Sequence, residues 1–153
     1  MKAIGHALIR CLFEGFESNL YNDNDLLEGF IFRYLWIPFV QRELNLYREQ
    51  VNTTIRKKSK NAILPHDRPD LIYGNPENYG LMECGFQLEP ADITLIDSLI
   101  EKYTLETEAL NLPNDFIEAA NIVYRNIGSP AIELSNIWFV FGSMKESFLK
   151  SLE

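Results

Sequence analysis

Apolar residues recur at helical spacing along most of the chain. The first stripe, Ile4, Leu8, Cys11, Leu12 and Phe16, predicts a helix from about Ala3 to Ser18. Asn22 to Asp25 then forms a turn, and Asp25 stands three residues before Glu28, a capping-box-like start for a second helix. Leu27, Phe30, Ile31, Tyr34 and Leu35 follow at i, i+3, i+4, i+7 and i+8, the spacing of a core-facing stripe. Pro38, in "WIPFV", lacks an amide hydrogen and its ring clashes with the carbonyl four residues back, so a kink or a split is expected there. Beyond it, Val40, Leu44, Tyr47 and Val51 continue a second stripe.

The periodicity dissolves from about Arg56 to Pro90 into Pro, Gly, Asn and Asp signals: "LPHDRP", "YGNPENYG" and "LEP". A loop of this length inside one domain needs anchors, and Ile63, Leu64, Leu71, Ile72, Tyr73 and Tyr79 are the candidates. Helix is expected again from Pro90 to about Tyr103, carrying Ile93, Ile96, Ile100 and Tyr103. Another is expected from Asn114 or Asp115 to Gly128, using Phe116, Ala119, Ile122 and Val123. Ser129-Pro130 is expected to open the last, with Leu134, Ile137, Trp138, Phe141, Met144 and Phe148 on its apolar face. The pattern predicts an all-α fold: one compact helical bundle of five to six helices over 1–153. Helices in 1–55 and 91–153 flank a long ordered Pro/Gly-rich loop at 56–90.

Composition sharpens this picture. Hydrophobic residues are 46% of the 153 and aromatics 12%, enough for a core without disulfide or metal. Cys11 and Cys84 are far apart, match no paired-ligand spacing and read as free thiols. No uninterrupted apolar window is long enough for a membrane span, and Arg10 and Glu14 interrupt the N-terminal apolar run, which argues against a signal peptide. A cytoplasmic or nuclear location is expected.

The net charge of −8 is unevenly distributed. Residues 48 to 68 hold Arg48, Arg56, Lys57, Lys58, Lys60 and Arg68 against Glu49 and Asp67, whereas 69 to 124 hold eleven acids and only Lys102. Tight nonspecific binding to a phosphate backbone is disfavoured by so acidic a neighbour, because screening extends only about 8 to 10 Å at physiological salt. Those six basic side chains are nevertheless the candidate nucleic-acid contacts.

Other chemistry finds little footing. Cys84 and His66, with Asp67 or Glu83, suggest a nucleophile and base, but nothing in the sequence brings them into contact. "NDND" at 22 to 25 lacks the glycine and glutamate that complete a calcium loop. Glu101, Glu106 and Glu108 read as a solvated face, and Trp36, Trp138, Phe139 and Phe141 as core. No catalytic residue, metal ligand or cofactor is expected.

Three segments carry a resemblance: "LFEGFESNLYNDNDLL", "LWIPFVQRELNLYREQVNTTIRKKS" and "LPHDRPDLIYGNPENYG". Together they resemble the C-terminal part of the integrase-core-like domains of transposon-derived genes in fungi and animals, over about residues 10 to 103. Leu12, Phe13, Phe16, Glu17, Leu20 and Tyr21 match the first family segment. Pro38, Gln41, Arg42, Glu43, Leu44, Arg48, Asn52, Ile55 and Arg56 match the second, and Pro69, Tyr73, Pro76, Glu77, Tyr79 and Gly80 the third. The family's Trp before Asn is Val51 here, and its His is Thr54. In that family three acids hold two metal ions for strand cleavage and joining. The likeness begins beyond all three, and Glu17 matches a noncatalytic glutamate. The resemblance thus implies descent without catalysis, with Asn52 and Arg56 tying the loop to the bundle and Pro38, Tyr73 and Tyr79 in structural roles. The expected function is a non-catalytic interaction or scaffold domain, with the acidic 69–124 region or an aromatic groove serving as the surface for a protein partner. The alternative is a nucleic-acid-contacting module built on 48–68.

Overall fold

The computed structural model describes residues 2–55, 57, 58, 60, 65–82, 89–108 and 110–151, with side chains for these except 2–4, 91 and 104–108. The protein is all-α: six α-helices and one 3₁₀ turn occur among the described residues, and no strand. They are α1 (Lys2–Glu17), α2 (Leu26–Thr53), α3 (Pro69–Gly74), α4 (Pro90–Glu108), α5 (Asn114–Asn126) and α6 (Ile137–Lys150), with the 3₁₀ turn at Pro76–Tyr79. Contacts group the chain into two units, the first Met1–Gln41 with Thr107–Glu153 and the second Arg42–Glu106.

The first unit holds the core. Ile31, Leu35, Trp36 and Phe39 of α2 meet Ala120 of α5 and Ile137, Val140, Phe141 and Met144 of α6, all buried. Leu8, Cys11 and Leu12 of α1 pack against this cluster, as the first stripe predicts. On α5 the inward arc is Phe116, Ala120, Val123 and Ile127, so the expected place of Ala119 belongs to Ala120 and Ile122 lies on the exposed side. Trp36, Trp138 and Phe141 are core as expected, but Phe139 is 78% exposed. At 100° per residue it lies opposite the Ile137–Val140–Phe141–Met144 arc.

A run of aromatic contacts ties α1, α2 and α6. Phe16 meets Tyr21 edge-on at 5.1 Å, Tyr21 lies 4.8 Å from Phe32, and Trp36 lies 5.2 Å from Trp138. Trp138 Nε1 donates to the Cys11 carbonyl at 2.7 Å. Its indole lies on the α1 backbone at Gly15, where a Cβ would approach three ring atoms closer than 3.0 Å. Trp36 Nε1, by contrast, is buried with no hydrogen-bond partner.

The Asp25 cap forms, with Oδ1 accepting the Glu28 N–H at 2.9 Å. Glu28 does not reach back to the Asp25 amide as a reciprocal box would. Its Oε2 takes the Asn22 N–H at 2.7 Å, and Oε1 pairs with Lys145 of α6. The turn's acid is thereby a buried interhelical tie. Two termini close in Schellman form: Leu20 N–H donates to the Gly15 carbonyl with left-handed Asn19, and Ser129 N–H to Tyr124 with left-handed Gly128.

Of the kink or split expected at Pro38, the split does not occur, because α2 runs unbroken through it; a penalty of about 3 kcal/mol for an interior proline is outweighed by burying Leu35, Trp36 and Phe39 around it. Three further sequence expectations are corrected. The last helix starts at Ile137 rather than at Ser129-Pro130. Asn136 diverts the chain there: its Oδ1 accepts the Glu133 N–H at 2.9 Å and its Nδ2 donates to the Ala131 carbonyl at 2.8 Å. The segment read as a loop contains α3 and the 3₁₀ turn, each opened by a proline with preset φ. Tyr73, expected to anchor that segment, is 89% exposed, since α3 is a six-residue helix with no buried side chain.

Candidate interaction surface

The second unit carries every residue singled out as a binding candidate, and it is built differently from the first. Around α3, polar side chains do the holding. Asp67 Oδ1 accepts the Arg68 N–H at 2.7 Å, while Oδ2 accepts the Tyr79 hydroxyl at 2.9 Å, tying the 3₁₀ turn to the chain before α3. Arg68 then forks onto Asp70, with Nε to Oδ1 at 3.1 Å and Nη2 to Oδ2 at 2.5 Å. The bound Arg68 amide and the Tyr79 hydroxyl hold the Asp67 carboxyl below its ordinary range, and the Arg68 guanidinium does the same for Asp70. Asp67 in turn raises Tyr79, and Asp70 raises Arg68.

This arrangement subtracts Arg68 from the basic patch. Its guanidinium is committed to Asp70 and stands between two carboxylates. Arg48, Lys57, Lys58 and Lys60 are exposed and pair with no carboxylate among the described residues; Arg56 lies outside the described residues. Asn52 is exposed on the last turn of α2, and Pro38 is exposed midway along it. Arg48 lies on α2, and Lys57, Lys58 and Lys60 follow its end along the chain.

α4 lies in the second unit as far as Glu106, and it runs to Glu108 rather than ending near Tyr103. Pro90 takes a first-turn position, and Asp92 Oδ2 accepts the Glu89 N–H at 3.1 Å. Ile93, Ile96, Leu99, Ile100 and Tyr103 fall on one arc with Leu95 at its edge, while Asp97 and Glu101 fall on the other. Those six apolar side chains are 37–61% exposed, and every described side chain of the helix is exposed. The spacing is that of a core helix, yet these side chains remain partly open to solvent. Leu44 and Tyr47, on the part of α2 that belongs to this unit, are likewise 56% and 49% exposed.

The remaining candidates disperse. His6 and His66 are exposed, and Cys84 with Glu83 lies outside the described residues. Cys11 is a free thiol whose pKa is raised, first by burial. The 22–25 turn is a capping turn, with Asn22 Oδ1 accepting the Asn24 N–H at 3.1 Å. No group of His, Cys, Asp and Glu suited to a metal occurs among the described residues. A depression of about 630 Å³ beside α1 is lined by Arg10, Phe13, Glu14, Glu17 and Ser18, with no nucleophile–base pair in that lining. No described helix is long and apolar enough to cross a membrane. No family model, curated protein or solved structure matches the chain.

The sequence marked the basic stretch and the acidic 69–124 region, but not which residues of that region form an exposed apolar arc. The available signal was the coincidence of a helical apolar arc in α4 with a run of acids and almost no bases.

Proposed function

We propose that the chain is a non-catalytic helical interaction domain whose contact surface is the apolar arc of α4, rimmed by Asp97 and Glu101. The reading keeps the descent that the resemblance to integrase-core-like domains implies, without the chemistry. The observation that carries it is the exposure of Ile93, Leu95, Ile96, Leu99, Ile100 and Tyr103 on one helix. Their exposed fractions amount to about three whole side chains, so covering them is worth roughly 5–9 kcal/mol before association costs. Contiguous exposure of this kind marks an interaction site. Those costs run about 4–15 kcal/mol, so α4 needs an added contact to hold a partner stably.

The test is capture. The wild-type chain is expected to retain a protein partner that Ile96→Glu/Leu99→Glu does not, with unchanged circular dichroism; equal recovery by both chains overturns the reading. A second reading, duplex binding through Arg48, Lys57, Lys58 and Lys60, draws on the exposure of those four cations. It requires affinity that falls steeply with salt and disappears in Lys57→Glu/Lys58→Glu.

A further inference from the structure

We infer that the occupant of the α4 face is a second copy of this chain, bound reciprocally, with α4 of each protomer against the Arg42–Thr53 part of α2 and Lys57, Lys58 and Lys60 of the other. The inference rests on the interaction-domain reading and names its partner.

Two stripes in the second unit are uncovered at once. On α4, Ile93, Ile96 and Leu99 are exposed. On α2, Leu44 and Tyr47 are exposed and Val51 partly so, at i, i+3 and i+7. Each stripe runs about two helical turns. Both remain partly open to solvent in the single chain.

Charge separates the possible pairings. Residues 90–108 carry Asp92, Asp97, Glu101, Glu106 and Glu108 against Lys102, a net −4. Along the α2 stripe Arg42 and Arg48 are balanced by Glu43 and Glu49, and the excess base lies just beyond it, where residues 54–60 carry Arg56, Lys57, Lys58 and Lys60, a net +4. Pairing α4 with α4 sets like charges face to face. Cross-pairing brings the acids of α4 to the bases that follow α2. In a two-fold dimer both cross contacts form together, because residue i meets j and j meets i. A foreign basic helix would answer the acidic face and leave the α2 stripe bare. A second copy covers both stripes of both protomers through two contacts, and the second of these is the added contact that α4 lacks alone.

The experiment is sedimentation equilibrium on the purified full chain over a wide concentration range. Association is expected, and it weakens as salt rises. Asp97→Lys/Glu101→Lys and Lys57→Glu/Lys58→Glu each weaken it by about tenfold or more. Mixing these two variants restores the dimer as a heterodimer, and placing all four changes in one chain restores the homodimer. The substituted residues are exposed, so helical circular dichroism stays constant. A chain that is monomeric throughout, or a dimer indifferent to both reversals, overturns the inference. If the monomeric chain still captures a protein through Ile96 and Leu99, the partner is foreign and the interaction-domain reading survives; if capture also fails, both fall.

Discussion

Gly15→Ala, in the last turn of α1, and Gly142→Ala, midway along α6, are the same chemical change, and the structure gives them opposite signs. In an unobstructed helix interior alanine is favoured over glycine by about 1 kcal/mol. A Cβ built on Gly142 meets nothing within 4 Å, so that gain is expected almost whole. A Cβ built on Gly15 runs into three indole atoms of Trp138, each closer than 3.0 Å. The indole has little room to yield. Its Nε1 is bound to the Cys11 carbonyl at 2.7 Å, and it is hemmed by Trp36 at 5.2 Å and Phe141 at 5.5 Å. Overpacking of this kind costs about 1–3 kcal/mol. Displacing the indole adds about 1 kcal/mol for the hydrogen bond and roughly 0.5–1.5 kcal/mol for an aromatic contact. After the helix gain is subtracted, Gly15→Ala is expected to destabilise the first unit by about 2–4 kcal/mol.

The assay is urea unfolding followed by tryptophan fluorescence. The only two tryptophans, Trp36 and Trp138, lie in the first unit, so the signal reports that unit. With a slope of about 2 kcal/mol/M the midpoint falls by roughly 1–2 M in Gly15→Ala and rises by a few tenths in Gly142→Ala. Trp138→Leu in the Gly15→Ala background removes the obstacle, so the pair couples favourably by about 1 kcal/mol or more. Equal stabilisation by both alanines would refute the close approach of α6 to α1.

Three further outcomes follow from the same geometry. Lys145→Met leaves the buried Glu28 carboxylate facing an apolar neighbour and is expected to lower stability by about 3 kcal/mol, whereas Lys145→Arg retains most of it, by the same urea measurement. Asp25→Ala removes the acceptor for the Glu28 N–H and lowers stability by about 1 kcal/mol, with helix content otherwise unchanged by circular dichroism. Asp67 and Asp70 have depressed carboxyl pKa values when folded, so their contribution is complete above the ordinary carboxylate range and disappears as pH falls through the lowered values; the Tyr79 and Leu71 amide signals should shift over that acid window in NMR, and Asp67→Asn abolishes the Tyr79 shift.

Much of the first unit is legible because burial and periodicity agree there. Ile31, Leu35 and Phe141 fall where the stripes place them, and Asp25 caps as the short acid-to-glutamate spacing implies. The misreadings share a cause: local signals compete with contacts that periodicity does not encode. Pro38 is a helix breaker by its own chemistry, yet the turns around it are held by buried Leu35, Trp36 and Phe39. Asn136 sits inside an apolar pattern that reads as helix, but its amide binds Glu133 and Ala131 backbone and delays α6 to Ile137. Gly15 carries no mark of its purpose until Trp138, distant in sequence, is laid upon it. For the candidate surface, spacing identifies an apolar arc on α4 but is silent on what covers it. Core and interface helices share one pattern.

That silence has an energetic consequence. Among the described residues, all nine buried apolar side chains belong to the first unit, while α4 has none. Isolated helices of a few turns are marginal in water, since nucleation is unfavourable and tertiary packing supplies most helical stability in proteins. The Pro90 start and the Asp92–Glu89 bond define where α4 begins, but a single end contact contributes only about 1 kcal/mol. The order of α4 should therefore be coupled to occupancy of its face. Amide exchange in Ile96–Tyr103 is expected to be fast in the dilute chain and to slow about tenfold or more once the partner is bound, while Ile31–Phe39 of α2 remains slow in both states. Ile96→Glu/Leu99→Glu keeps the dilute behaviour and loses the slowing. Exchange in α4 as slow as in the α2 core, in a chain demonstrated to be monomeric, would mean that the helix is stabilised from within and that its exposed arc is not waiting for cover.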